Sequence, residues 1–278
     1  MLLFGTAGVP ISVQDRSTET GIKRIKELGL GCMEIEFVRG VHMNMAKASN
    51  IRKVAEQEGI GLTVHAPYFI NLNSRESEKV SASKQRILNS ARIGALAGAK
   101  SVTFHPAYYM GKTSEEVYQK VKEALLEITD TLRNEKIQID IRPETTGKGS
   151  QFGTLDEIIN LSQEIQGVKL CIDFSHLYAR DIGKWNSYTE FMDILNRVEA
   201  ELGSSALKDM HLHVSGIEYT PKGERRHLVV QDPGNKFNYK ELIYALRDKE
   251  AEGFLICESP NLEEDALLFK KIYAINHG

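Results

Sequence analysis

Short apolar, β-branched runs alternate along this chain with longer stretches whose apolar residues recur at helical spacing. The short runs predict strands at about 2–6, 32–37, 61–66, 101–106, 138–142, 168–174, 209–215 and 253–258. Helices are expected after Thr18 and over 51–58, 76–97, 114–132, 155–165, 188–202, 239–247 and 262–274. Within 76–97, Ile87, Ala91 and Ala95 repeat every four residues. Ser114-Glu115-Glu116-Val117 reads as a helix-capping pattern. Strands that alternate with helices form a parallel sheet. Eight such units in 278 residues fit a closed (β/α)8 TIM barrel, read here as a single α/β domain over 1–278. An open, doubly wound sheet is the other arrangement. The first βα turn, GTAGVP, is no GxGxxG fingerprint, which weakens a dinucleotide site there.

The predicted strands end alike. In a parallel barrel, functional residues gather at the C-terminal ends of the strands. Strand three ends LTVHAP with His65, and strand four VTFHPA with His105. Strand five ends IDIRPETTG with Glu144, and strand six LCIDFSH with Asp173 and then His176. Strand seven reads DMHLHVSG with His211 and His213, and strand eight ends FLICES with Glu258. The two-residue period of a strand sets Thr63 and His65 opposite Leu62 and Val64, and His211 and His213 opposite Met210 and Leu212. The apolar sets must face the helices, so the polar sets face the barrel mouth. His42 and His277 stand outside this pattern, and Glu34 and Glu36 are weaker candidates on strand two.

Imidazoles and carboxylates converging on one mouth need compensation, and divalent cations supply it. Imidazole suits Zn or Fe, and carboxylate suits Mn and can bridge two ions. The donors are too many for one ion and enough for two or three. Zn is expected, with Mn or Fe as alternatives and no organic cofactor.

Composition narrows the setting. Apolar residues make up 41% and charged residues 26%, which excludes disordered and collagen-like classes. A net charge of −3 argues against coating nucleic acid by charge alone. It leaves room for an enzyme whose positive charge is local or metallic. Cys32, Cys171 and Cys257 form no CxxC pair and fit a reducing cytoplasm. No apolar run has the ~18 residues of a membrane span. The start, MLLFGTAGVP, lacks a basic region and reaches Gly5 too soon for a signal peptide. A cytoplasmic monomer is expected.

These residues resemble the endonuclease IV family, metal-dependent apurinic/apyrimidinic (AP) endonucleases with a xylose-isomerase-like barrel. The resemblance lies in HAPYFINL (65–72), FHP (104–106), PETTGKGSQFG (143–153), CIDFSHLYARD (171–181), MHLH (210–213) and ESP (258–260). It implies that His65 and His105 hold one metal, which Glu144 bridges to a second. Asp173, His211 and Glu258 would complete the second, and His176 would belong to a third. The implied reaction is hydrolysis of DNA 5′ to an abasic site by a metal-bound hydroxide, with Glu144 and Glu258 as catalytic residues. Candidate DNA contacts are Arg39, Lys148, Lys222, Arg225 and Arg226, with Tyr68 and Phe69 to stack on or wedge between bases.

The chain departs from the family at the third metal, which takes an Asp-x-His pair after strand seven. His227 can be the His, but Arg225 stands two residues before it. Glu224 as the acid would put Arg226 at the His position, and Asp232 lies further along. His213 stands where a small amide residue is expected and reads as a possible extra donor. The competing enzyme reading is a single-metal sugar or sugar-phosphate isomerase or epimerase. It needs only Glu144, Asp173, His211 and Glu258, and has less use for His65 and His105. A non-catalytic metal- or nucleic-acid-binding protein is the third class.

Overall fold

The computed structural model describes residues 1–275. In chain order its strands are β1 (Leu2–Ala7), β2 (Cys32–Glu36), β3 (Gly61–His65), β4 (Ser101–Phe104), β5 (Ala107–Tyr108), β6 (Asp140–Pro143), β7 (Gln151–Phe152), β8 (Ile172–Asp173), β9 (Met210–Val214), β10 (Gly216–Thr220), β11 (Gly223–Leu228) and β12 (Gly253–Cys257). The helices are α1 (Thr18–Glu27), α2 (Met45–Glu58), α3 (Ser77–Ala97), α4 (Ser114–Asn134), α5 (Leu155–Glu164), α6 (Phe174–Arg180), α7 (Tyr188–Leu202), α8 (Ser204–Leu207), α9 (Tyr239–Asp248) and α10 (Glu263–Ala274). None of the described helices is long and apolar enough to cross a membrane.

The chain forms two compact units. One comprises Met1–Met33, Gly147–Gly149 and the chain from Ile172 onward, and the other Glu34–Thr146 and Ser150–Cys171. In the first, β1, β12, β9 and β8 pair in parallel, with Phe254 opposite His211 and Asp173 opposite His213. Helix α10 packs on β1 and β12, and α9 on α7 and α10. In the second, β3, β4 and β6 pair in parallel, with His65 opposite Thr103. There α3 packs on β3 and β4 and between α2 and α4. Both cores are apolar: Leu62, Val64, Val102 and Phe104 are buried in one, and Met210, Leu212, Leu255 and Ile256 in the other. Thus the alternate residues that oppose the histidines on each strand fill the space against the helices.

Several boundaries differ from expectation. Helix α2 starts six residues before Ile51, because Asn44 caps it by accepting from the Lys47 amide. Its first turns are mostly exposed and carry no apolar period to read. Helix α4 is capped by Thr113 rather than Ser114, in a reciprocal box with Glu116. The sixth strand shrinks to Ile172–Asp173, and the chain turns at once into α6. The segment after β9 folds as the antiparallel hairpin β10–β11.

Candidate metal centres

In the second unit, His65 ends β3, and His105 and Glu144 follow β4 and β6 directly. The Glu144 amide donates to the Phe104 carbonyl, and Glu144 bridges in parallel to Cys171, so its place is fixed by the ladder. Both imidazole Nε2 atoms, of His65 and of His105, stand 3.4 Å from Glu144 Oε2. That is long for an N–H···O hydrogen bond, usually 2.7–3.2 Å. It matches the edge of a tetrahedron of donors around an ion at ~2.0–2.2 Å, which is about 3.4 Å. His65 Nδ1 donates to the Ala66 carbonyl at 2.8 Å, which turns Nε2 toward Glu144.

Burial opposes a charge on His65, but the carboxylates of Glu144, Glu36 and Glu34 outweigh it and push His65 up to about 10. The three carboxylates thus surround His65 with negative charge. Glu34 itself is buried and accepts a hydrogen bond from Thr63 Oγ1 at 2.7 Å, so its place is structural.

In the first unit, Asp173 ends β8 and caps α6: Oδ1 accepts from the His176 amide at 2.7 Å. Its Oδ2 lies 3.4 Å from His176 Nδ1. His211 and His213, two apart on β9, bring their Nε2 atoms to 3.3 Å, and His213 Nδ1 stands 3.2 Å from Glu258 Oε1. His213 therefore lies among the donors. His176 Nε2 also stands 3.3 Å from His227 Nε2 on β11. Asp173, His176, His227 and Glu258 form one donor group within 4.8 Å, as do His65, His105 and Glu144 in the other unit.

The other candidates fall elsewhere. Asp232 is exposed, with Oδ1 taken by the Gly234 amide, and contributes to neither group. His42 is exposed, and His277 lies outside the described residues. Arg39, Tyr68 and Phe69 are exposed, and Tyr68 lies 5.7 Å from the His65 ring, centroid to centroid. Phe69 is thus a surface residue rather than a core one. Lys148 is half-buried and its carbonyl accepts from Arg180. Lys222 is exposed. Arg225 and Arg226 both pair with Glu218, at 2.6 and 2.7 Å, so part of their charge is already balanced. Glu224, which the Asp-x-His spacing excludes, brings its carboxylate to 3.6 Å from His176 and 3.8 Å from His227.

A family model described as a xylose isomerase-like TIM barrel matches residues 22–272. A probable endonuclease 4 of Geobacillus is 31% identical over 211 residues, which cover 73% of this chain and 67% of the relative. The chain belongs to the endonuclease IV family. Its fold is a TIM barrel, as the alternation of strands and helices predicts. An uncharacterized protein of Methanocaldococcus jannaschii is 45% identical over 273 residues, covering 98% of this chain and 97% of that one. The crystal structure of endonuclease IV from Thermus thermophilus aligns with a TM-score of 0.71 at 19% identity, over 97% of this chain and 98% of that one. A D-tagatose 3-epimerase-like protein aligns equally well, with a TM-score of 0.71 at 17% identity over 96% and 95% of the two chains. These two structural likenesses speak for the fold alone. An endonuclease and an epimerase share it, so the side chains must decide the chemistry.

Proposed function

We propose that this member of the endonuclease IV family is a metal-dependent phosphodiesterase that cuts DNA 5′ to abasic sites. The observation that carries this is the cluster of His65, His105 and Glu144, with both imidazoles converging on one carboxylate oxygen at 3.4 Å. A single-metal sugar isomerase or epimerase has no evident use for these two imidazoles. The donor set, two imidazole nitrogens and a carboxylate at tetrahedral spacing, fits a zinc-class ion.

When bound, such ions polarise phosphoryl oxygens and bring the pKa of water toward neutrality. The protein's own part is to hold the donors. The Ala66 carbonyl fixes the His65 ring, and the β6 ladder fixes Glu144. Asp173 and Glu258 orient His176 and His213 in the other unit, where His211 stands beside His213. In this reading Glu258 also orients the attacking water. Arg39 and Lys148 offer phosphate contacts, and the exposed ring of Tyr68 offers a stacking face beside His65.

The test is cleavage of a duplex that carries one tetrahydrofuran abasic analogue, paired with a metal count on the purified protein. A single nick 5′ to the analogue, with two or three ions per chain, is expected. An uncut duplex, together with epimerisation of a ketose at one ion per chain, would replace this reading with the sugar enzyme.

A further inference from the structure

Arg225 stands where the family's third-metal motif has its acid, so by sequence that ligand set lacks a carboxylate. We infer that Glu224 supplies it, and that His176, Glu224 and His227 together form a three-donor site for a zinc-class divalent ion. This rests on the metal-dependent reading above.

The reason lies in the hairpin. Along β10–β11, Gly216 faces Leu228, Ile217 faces His227 and Glu218 faces Arg226, but Tyr219 faces Glu224. Arg225 is the extra residue of a β-bulge, and it shifts the two-residue period by one. Ile217 and Tyr219 lie on one face of β10, so their partners His227 and Glu224 lie on one face of β11. A regular strand would have put Arg225 on that face. Instead Arg225 and Arg226 turn to the other side and share Glu218. The motif Asp-x-His is rewritten as Glu-x-x-His.

The distances suit a metal. His176 Nε2 lies 3.3 Å from His227 Nε2 and 3.6 Å from Glu224 Oε2, and His227 Nε2 lies 3.8 Å from Glu224 Oε1. The imidazole–imidazole distance is the edge expected of donors around one ion, about 3.4 Å for bonds of ~2.0–2.2 Å, and the carboxylate faces each ring with a different oxygen. Both rings present Nε2 to the site and turn Nδ1 away. His176 Nδ1 faces Asp173, and His227 Nδ1 donates to the Glu258 carbonyl at 3.2 Å. For His227 that pattern, one ring nitrogen on an oxygen and the other on the ion, is usual for a metal-binding histidine.

The backbone is shaped for Glu224. The Glu224 amide donates to the Gly147 carbonyl at 2.8 Å. A Cβ on Gly147 would meet Glu224 Cβ at 2.7 Å, its Oε2 at 2.8 Å and His176 Cδ2 at 3.0 Å. The glycine of the ETTG run thus leaves the room that the carboxylate occupies. Two imidazoles and one carboxylate leave a fourth position for water, substrate or one of the neighbouring carboxylates of Asp173 and Glu258.

The experiment is a Zn²⁺ count by mass spectrometry on the full-length protein after dialysis, with chelator competition to give the affinity of each ion. Glu224→Gln should lose one ion per chain, or bind it more weakly than wild type by about a hundredfold or more, beyond the ~10–100-fold typical of second-sphere changes. Gly147→Ala keeps the carboxylate but crowds it, and should weaken the same ion. Arg225→Ala should leave the count unchanged. Circular dichroism of the EDTA-treated variants checks that each is folded. A wild-type count and affinity in Glu224→Gln would overturn the inference, as would loss of an ion in Arg225→Ala. Either result is separable from the functional reading. An abasic duplex left uncut by protein with its full complement of Zn²⁺ defeats the phosphodiesterase but not the Glu224 site.

Discussion

The two histidine–carboxylate clusters reach similar donor spacings by different means. His65, His105 and Glu144 stand at or just beyond the ends of parallel strands, and the ladder sets where they point. His176, Glu224 and His227 come from a seven-residue helix and an irregular hairpin, and a single bulged residue sets where they point. Donor position in the first depends on strand period. In the second it depends on a local defect in that period. An insertion or shift of one residue would move the first set to the wrong face, whereas the second set exists because such a shift has occurred.

The comparison breaks most sharply at Glu144. Both imidazoles of its cluster converge on its Oε2. Glu144→Gln should lower the rate of abasic-site cleavage by about 10³-fold or more, since a metal's several kcal/mol of transition-state stabilisation count tenfold per ~1.4 kcal/mol. The ion held by His176 and His227 should remain in that variant. Steady-state cleavage with a metal count reads both, and full activity would remove Glu144 from the site.

At the hairpin the sensitive point is Gly223, with φ of +91° and room for no Cβ: one would lie 2.3 Å from the Gly147 carbonyl oxygen. Gly223→Ala should cost about 1–3 kcal/mol of stability. It should also weaken the ion at His176 and His227 while leaving that at His65 and His105. Thermal melts and chelator titration check this, and equal loss of both ions would mean that the clusters are not separately built.

The acidity of the strand-end cluster gives a pH test on metal-free protein. His65 is raised from 6.5 to about 10, so its charged form adds stability that is fully present below pH 6.5 and fades as pH rises through 10. Denaturant midpoints in EDTA should therefore fall between pH 7 and 10 more in the wild type than in His65→Gln. Parallel curves would contradict the carboxylate environment assigned to His65.

The smallest effects lie in DNA contact. Arg39→Ala should flatten the slope of log K against log salt by about 0.9 for one lost phosphate contact. Arg225→Ala should flatten it less, because Glu218 already pairs with that guanidinium. Binding isotherms over a salt series measure both, and the reverse order would move the DNA path toward the hairpin.

This contrast also explains what could be read from the residues alone. His65, His105, Glu144, Asp173, His211 and Glu258 follow or end short apolar strands, so periodicity locates them within a residue or two. Helix α2 was readable only from Ile51, because Met45–Asn50 is mostly exposed and Asn44 announces the start by a side-chain cap rather than an apolar period. Spacing alone rejects Glu224, because a regular strand pairs His227 with Arg225 on one face. A bulge leaves no mark in composition, and Glu-Arg-Arg-His scans as a charged loop. The available hint was Gly223 beside an Arg pair with Glu218 seven residues back, the signature of a tight ribbon whose two faces carry different chemistry.

The position of Zn²⁺ decides between one kind of metal site and two. Anomalous diffraction at the zinc edge from crystals of the metal-loaded protein would show this without reference to activity. We expect one peak ~2.0–2.2 Å from His65 Nε2, His105 Nε2 and Glu144, and another at the same distances from His176 Nε2, His227 Nε2 and Glu224. Density at the first position alone, with Glu224 turned away from both rings, would contradict the claim that the bulge builds a second kind of metal site.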